Sequence, residues 1–164
     1  MSTVIVTLKP YQVLIASQVA IMRRTSNMVK NVKPKHGASN ADGSWEMDIL
    51  SCHAEMAAAL YLNLYWDGAV NDFLARDVGG IVDVRSRTKE HYQLILHKSD
   101  PDETPFILAW TKANSSEVHL NGWIYAHEGK KNKFWADPAG GRPAYFIPKD
   151  ELHPMPELLP LITA

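Results

Sequence analysis

The chain reads as an α+β protein, and three observations predict it. Helical apolar spacing fills its N-terminal third, short alternating or continuously apolar runs separated by polar turns fill its middle, and one further helical stretch and one short strand follow. The expected order is N-terminal helices, then a mostly antiparallel or mixed sheet, then a helix and a last strand. One domain is expected over 1–164: an N-terminal helical region and loop (1–44), a core (45–148) and a proline-rich tail (149–164).

Val4, Val6 and Leu8 alternate as on a strand, ahead of Lys9-Pro10, which suits the start of a helix. From Tyr11 to about Lys30, Leu14, Ile15, Val19, Met22 and Met28 recur near one face, the face an amphipathic helix buries. Pro34 and the polar residues after it end that helix. A second is expected from Ser44 or Trp45 to about Asn63, with Ser44 as its cap and no capping-box partner at Met47. Ile49, Cys52, His53, Met56 and Leu60 make its apolar stripe, and Asp48 and Glu55 share one flank, normally a solvated one. Strands are expected at 69–76, 81–88, 91–98, 105–111 and 117–125, with turns at 99–104 and 113–116. A helix near 126–136, a Gly-Gly-Arg loop, a strand at 144–147 and a tail wrapping the surface complete the reading.

Composition narrows the classes. The chain has 164 residues, 46% of them hydrophobic, enough for one full core. The single cysteine, Cys52, excludes an intrachain disulfide framework and points to a reducing, cytoplasmic setting. No leader pattern opens the sequence and no apolar run approaches a membrane span, so no membrane association is expected. A net charge of −1 argues neither for nor against nucleic acid. Local patches say more: Arg23, Arg24, Lys30, Lys33 and Lys35 lie in a stretch free of acids, and Lys130, Lys131 and Lys133 form a second cluster. Either set suits a phosphate backbone, and either also suits an ordinary solvated face. Gly140-Gly141-Arg142 offers backbone N–H groups and a guanidinium to an anion, or only a tight bend.

The richest stretch is Asp77-Val-Gly-Gly-Ile-Val-Asp83-Val-Arg85, a tight hairpin with carboxylates on both arms. Alternation puts Asp83 and Arg85 on one face. A two-residue Gly79-Gly80 loop would send Asp77 and Asp83 to opposite faces. A three-residue Val78-Gly79-Gly80 loop sets Asp77 opposite Ile81 and makes the two aspartates diagonal neighbours, roughly 7–8 Å apart at the backbone. Two carboxylates so held form a hard oxygen site of the kind Mg²⁺ prefers, and a cation beside it offsets charge developing on phosphorus. The plain alternative is that Asp77 is a turn residue and Asp83 and Arg85 are solvated charges.

A helix bearing an acid, then a hairpin bearing Asp…Asp-x-Arg, resembles the PD-(D/E)xK nuclease superfamily over roughly residues 45–148. More closely, the chain resembles a group of small uncharacterised phage-type proteins. The shared stretches are Ser51-Cys-His-Ala-Glu55-Met-Ala, Asp77-Val-Gly-Gly, Gly122-Trp-Ile and Gly141-Arg-Pro-Ala-Tyr-Phe-Ile-Pro148. The resemblance implies a restriction-endonuclease-like core, Mg²⁺ or Mn²⁺ as cofactor, and hydrolysis of phosphodiester bonds in DNA. It also implies that Asp77, Asp83 and the Val84 carbonyl hold the metal, that Glu55 adds a ligand, and that Arg85 replaces the superfamily's lysine. A second expectation is a catalytically impaired scaffold that binds nucleic acid or a host protein. Two departures bear on this choice: only five residues separate Asp77 from Asp83, and arginine, always protonated, is no general base.

Other chemistries fit poorly. His53-Ala-Glu55 has the H-x-E of zinc deaminases but no P-C-x-x-C partner. The histidines, His91 and His97 included, lack zinc-site spacing. A glycosidase pair at Asp77 and Asp83 has no accompanying sugar-cleft signal. Trp45, Trp66, Trp110, Trp123 and Trp135 read as packing residues, and Cys52 as core.

Overall fold

An alanine-rich helix covers one face of a strand that is buried on both faces, and that strand organises the molecule. The computed structural model describes residues 3–30, 44–70 and 76–163. Its elements are β1 (Val4–Thr7), α1 (Pro10–Lys30), α2 (Trp45–Leu62), β2 (Asp83–Arg87), β3 (Leu94–Leu96), β4 (Pro105–Thr111), β5 (Glu117–Tyr125), α3 (Ala126–Gly129), β6 (Trp135–Ala136), β7 (Ala144–Ile147) and α4 (Leu159–Thr163). The fold is mixed α+β, as expected, with one sheet ordered β1-β5-β4-β2 and a second ordered β3-β7-β6. All pairings are antiparallel except β2 with β4, which run parallel.

The unbroken apolar run Phe106-Ile107-Leu108-Ala109 on β4 reflects two cores rather than one. Ile107 and Ala109 face α2 together with Val118 and Leu120, while Phe106 and Leu108 face the second sheet with Leu94, Leu96 and Ile147. Helix α2 is buried on nearly every side, because Ala54, Ala57, Ala58 and Ala59 let it lie close against the sheet and α1. Its limits follow from local chemistry. The Ser44 hydroxyl accepts the Met47 N–H, and Asn63 ends the helix in the left-handed region at φ 54°.

Several expectations change. The large apolar residues of α1 do not face the core: Leu14, Ile15, Met22 and Met28 are exposed, and Ala16 and Ala20 are buried against Cys52. Small residues one turn apart allow close helix packing, and that decides the face. On α2, Leu60 is exposed and Glu55 is buried. The segment expected to be helical over 126–136 divides into α3, a 3₁₀ turn at Asn132–Phe134 and the short β6. The strand expected at 69–76 falls largely outside the described residues, as do Lys33, Pro34 and Lys35.

The tail does not simply wrap the surface. Leu152, Met155 and Leu158 are buried in the cores, and His153 exchanges both backbone hydrogen bonds with Trp123, at 3.0 and 2.8 Å. Gly122 makes this approach possible. At φ +148°, a β-carbon there would lie 2.8 Å from Leu152 Cβ and 2.9 Å from the His153 carbonyl. No helix among the described residues is long and apolar enough to cross a membrane.

Candidate functional site

The hairpin is real, and its loop is odd-numbered but displaced by one residue from the expected position. Val78 pairs with Val82, so the loop is Gly79-Gly80-Ile81. Both glycines have positive φ, 60° and 70°, and the Ile81 N–H donates to the Val78 carbonyl at 3.1 Å. A Gly-Gly pair suits this left-handed turn, and Ile81 is the extra residue before pairing resumes. Asp77 therefore stands directly across from Asp83 instead of diagonally to it. The Asp77 N–H donates to Asp83 Oδ1 (3.1 Å), and the Val84 N–H donates to Asp77 Oδ2 (2.8 Å). Each carboxylate thus clasps the opposite arm with one oxygen.

The electrostatics are strained. Burial first, then the neighbouring Glu55 and Asp83 carboxylates, push Asp77 up to about 8. Asp83 is also raised, chiefly by burial, against the lowering effect of its hydrogen bond from Asp77 and of Arg85. Arg85 is thus electrostatically coupled to both aspartates.

Glu55 has a different role from the one the sequence suggested. Arg23 of α1 grips it with two bonds, NH1 to Oε2 at 2.8 Å and NH2 to Oε1 at 3.0 Å. Trp66 Nε1–H adds a third at 3.1 Å, and Arg23 Nε–H donates to the Ala69 carbonyl at 2.7 Å. Burial alone would lower the Arg23 pKa, but the Glu55 carboxylate more than offsets it and the group ends well above its usual value. The same burial pushes Cys52 up to about 12, so it packs as a thiol and is no nucleophile. His53, lowered by burial, hydrogen-bonds Ser17 Oγ at 2.9 Å between the two helices.

Arg85 lies two residues beyond Asp83 on β2. Its NH2 meets Asp100 Oδ1 at 2.8 Å, and its guanidinium stands 4.9 Å from the Phe106 ring. Asp100, read from sequence only as a turn residue, also accepts the His97 N–H at 2.7 Å. Beyond Arg85 opens a pocket of about 720 Å³ between edge strand β2, the second sheet and the loop before β7. Arg85, Arg87, Arg142, His97, Tyr92 and Phe146 are among the described residues that line it, with Arg85 already paired to Asp100. Arg87 and Tyr92 escaped the sequence reading. The signal for Arg87 was available, because it continues the Asp83, Arg85 alternation along one strand face.

The basic residues are scattered in role. Arg23 is committed to Glu55, Arg24 pairs with Asp48, and Lys130 is held by the Lys98 and Asp100 carbonyls and by Asp102. Lys30 and Lys131 are exposed. The Gly141 and Arg142 N–H groups point at the Asp137 carboxylate, at 2.8 and 3.1 Å, so they cap their own loop instead of presenting donors to a ligand.

The metal set fits only in part. Asp77 and Asp83 provide two half-buried carboxylates, each with one oxygen that accepts no hydrogen bond among the described residues. Glu55 does not complete them, since Arg23 and Trp66 occupy its oxygens, and Val84 contributes its N–H to Asp77. Among the described residues, no group of three or more His, Cys, Asp or Glu side chains is arranged to hold a metal ion. The chain matches no family model, no curated protein and no solved structure.

Proposed function

We propose that the chain is a phosphodiester-directed protein with a nuclease-type site of the PD-(D/E)xK kind. On this reading it hydrolyses DNA with Mg²⁺ or Mn²⁺, in the cytoplasm of a phage host. One observation carries the reading: a carboxylate pair raised in pKa chiefly by burial adjoins an arginine-lined pocket, with Arg85 coupled to both. Asp77 and Asp83 would hold the cation. A divalent ion there would neutralise the paired carboxylates and supply a water acidic enough to act as nucleophile without a lysine. Arg85 orients the phosphate and offsets its charge, and it carries no base function. Glu55 acts as a positioning residue: it holds Arg23, whose charge stands beside Asp77.

A second reading is a scaffold that binds nucleic acid or a host protein without cleaving. It is favoured by the capture of Glu55 by Arg23, which leaves the metal two carboxylates instead of three. Calorimetric titration of Mg²⁺ and Mn²⁺ into wild type and Asp83→Asn, beside cleavage of single- and double-stranded DNA, separates the two. Uptake with cleavage, both lost in the variant, supports the nuclease. Uptake or DNA binding without cleavage supports the scaffold, and no metal uptake at millimolar concentration overturns the metal site.

A further inference from the structure

Helix α1 carries two apolar faces, and the fold of one chain uses only one of them. The inner face packs through Ala16 and Ala20 against Cys52 of α2, with Val19 beside them. The outer face repeats every seven residues: Leu14, Ile21 and Met28 form one row, and Ile15, Met22 and Val29 the next. Tyr11, Gln18 and Thr25 run between the rows at the same interval. All of them are exposed, the apolar ones from 44% at Ile21 to 81% at Val29. A helix apolar on both sides is normally a buried one, so a second surface belongs against this stripe.

Several features point to another copy of the chain as that surface. A strict seven-residue repeat keeps one line of side chains against a partner helix of the same repeat, which an irregular groove does not require. No described residue exposed on α1 from Tyr11 to Val29 is charged, so two copies of the stripe meet without like-charge repulsion. The flanking arginines are bound within the chain, Arg23 to Glu55 and Arg24 to Asp48, and offer little to an acidic partner or an anionic membrane. The apolar residues together expose on the order of 800 Å², the area each partner gives to a standard-size interface. We infer that α1 is a homodimerisation helix, pairing with α1 of a second copy along the stripe from Tyr11 to Val29. Arg23 lies on the other side of the helix, so pairing leaves its grip on Glu55 intact. The inference depends on neither metal nor cleavage.

Sedimentation equilibrium on the full chain, without metal or nucleic acid, tests it. The expected result is a dimer with a dissociation constant on the order of 10 µM or tighter. Ile21→Glu and Met22→Glu should each weaken it about thirtyfold or more, because each sets two carboxylates together in an apolar contact. Ile21 lies near the middle of the stripe and so stands close to its counterpart whether the two helices run parallel or antiparallel. Mixing Ile21→Glu with Ile21→Lys should therefore restore association to within about fivefold of wild type. Lys112→Glu, in the exposed turn after β4, should leave association unchanged. Circular dichroism should show every variant folded, since the substituted side chains are exposed. A monomer at about 100 µM overturns the inference. So does a dimer that survives both glutamate variants, or a Glu–Lys mixture that stays monomeric. A monomer that sediments with phosphatidylglycerol vesicles through the same residues would assign the stripe to lipid and overturn it as well.

Discussion

Arg23–Glu55 and Asp77–Asp83 are neighbouring charge clusters built in opposite ways. In the first, a carboxylate meets a bidentate guanidinium and an indole N–H, so its burial is compensated on both oxygens. In the second, two carboxylates face each other across a hairpin with one backbone N–H apiece, and one is driven to about 8. The first arrangement stabilises a helix pair. The second holds an uncompensated negative load on a tight hairpin, which a bound cation would relieve. Proximity in sequence motif does not distinguish them; the accounting of partners does.

The largest way to break this comparison is Glu55→Gln. Arg23 would lose its charge partner while its side chain stays only 25% exposed, and urea unfolding should show a loss of about 3 kcal/mol. A loss below about 0.5 kcal/mol would mean that solvent already compensates Arg23.

Asp77→Asn should act in the opposite direction. Asp77 rises from 3.8 to about 8 on folding, so between those pH values the folded state holds a proton that the unfolded state has released. Wild-type stability should therefore fall as pH rises through that window, and the variant should lack the slope. At pH 8 the variant should be the more stable, by about 2 kcal/mol. Parallel pH profiles for the two proteins would contradict the strained-pair account.

Added Mg²⁺ sharpens the contrast further. At pH 8, a concentration ten times the dissociation constant should stabilise wild type by about 1.4 kcal/mol in thermal unfolding. Asp83→Asn should show no such shift, and an equal shift in both would place the ion elsewhere. The smallest effect is expected from Lys133→Ala, which cuts an exposed pair with Glu151 at 3.2 Å. Its midpoint should stay within about 0.5 kcal/mol of wild type, the reference against which the buried pair is judged.

Much of the fold was legible because its signals are local. β4, β5 and β7 lie where continuous or alternating apolar runs between polar turns put them, and α2 starts after the Ser44 cap. The face of α1 was misread, because bulk and hydrophobicity marked Leu14 and Met22 while close packing selected Ala16 and Ala20. Neither the length nor the position of the hairpin's loop was readable, since a two-residue loop and either set of three residues containing Gly79-Gly80 all place both glycines in the turn. The tail was misread because Leu152, Met155 and Leu158 lie among prolines and charges with no period to mark them.

By itself the sequence determined the α+β class, the hairpin and the shared face of Asp83, Arg85 and Arg87. Each of these follows from backbone periodicity and turn stereochemistry within a few residues. Only the tertiary structure decided which acids find partners: Arg23 reaches Glu55 across 32 positions, and Asp100 meets Arg85 across 15. It alone drew Arg142 to the pocket of Arg85 and Arg87, and set Asp77 squarely against Asp83. Charge compensation depends on packing between distant elements, and spacing along one chain does not encode it.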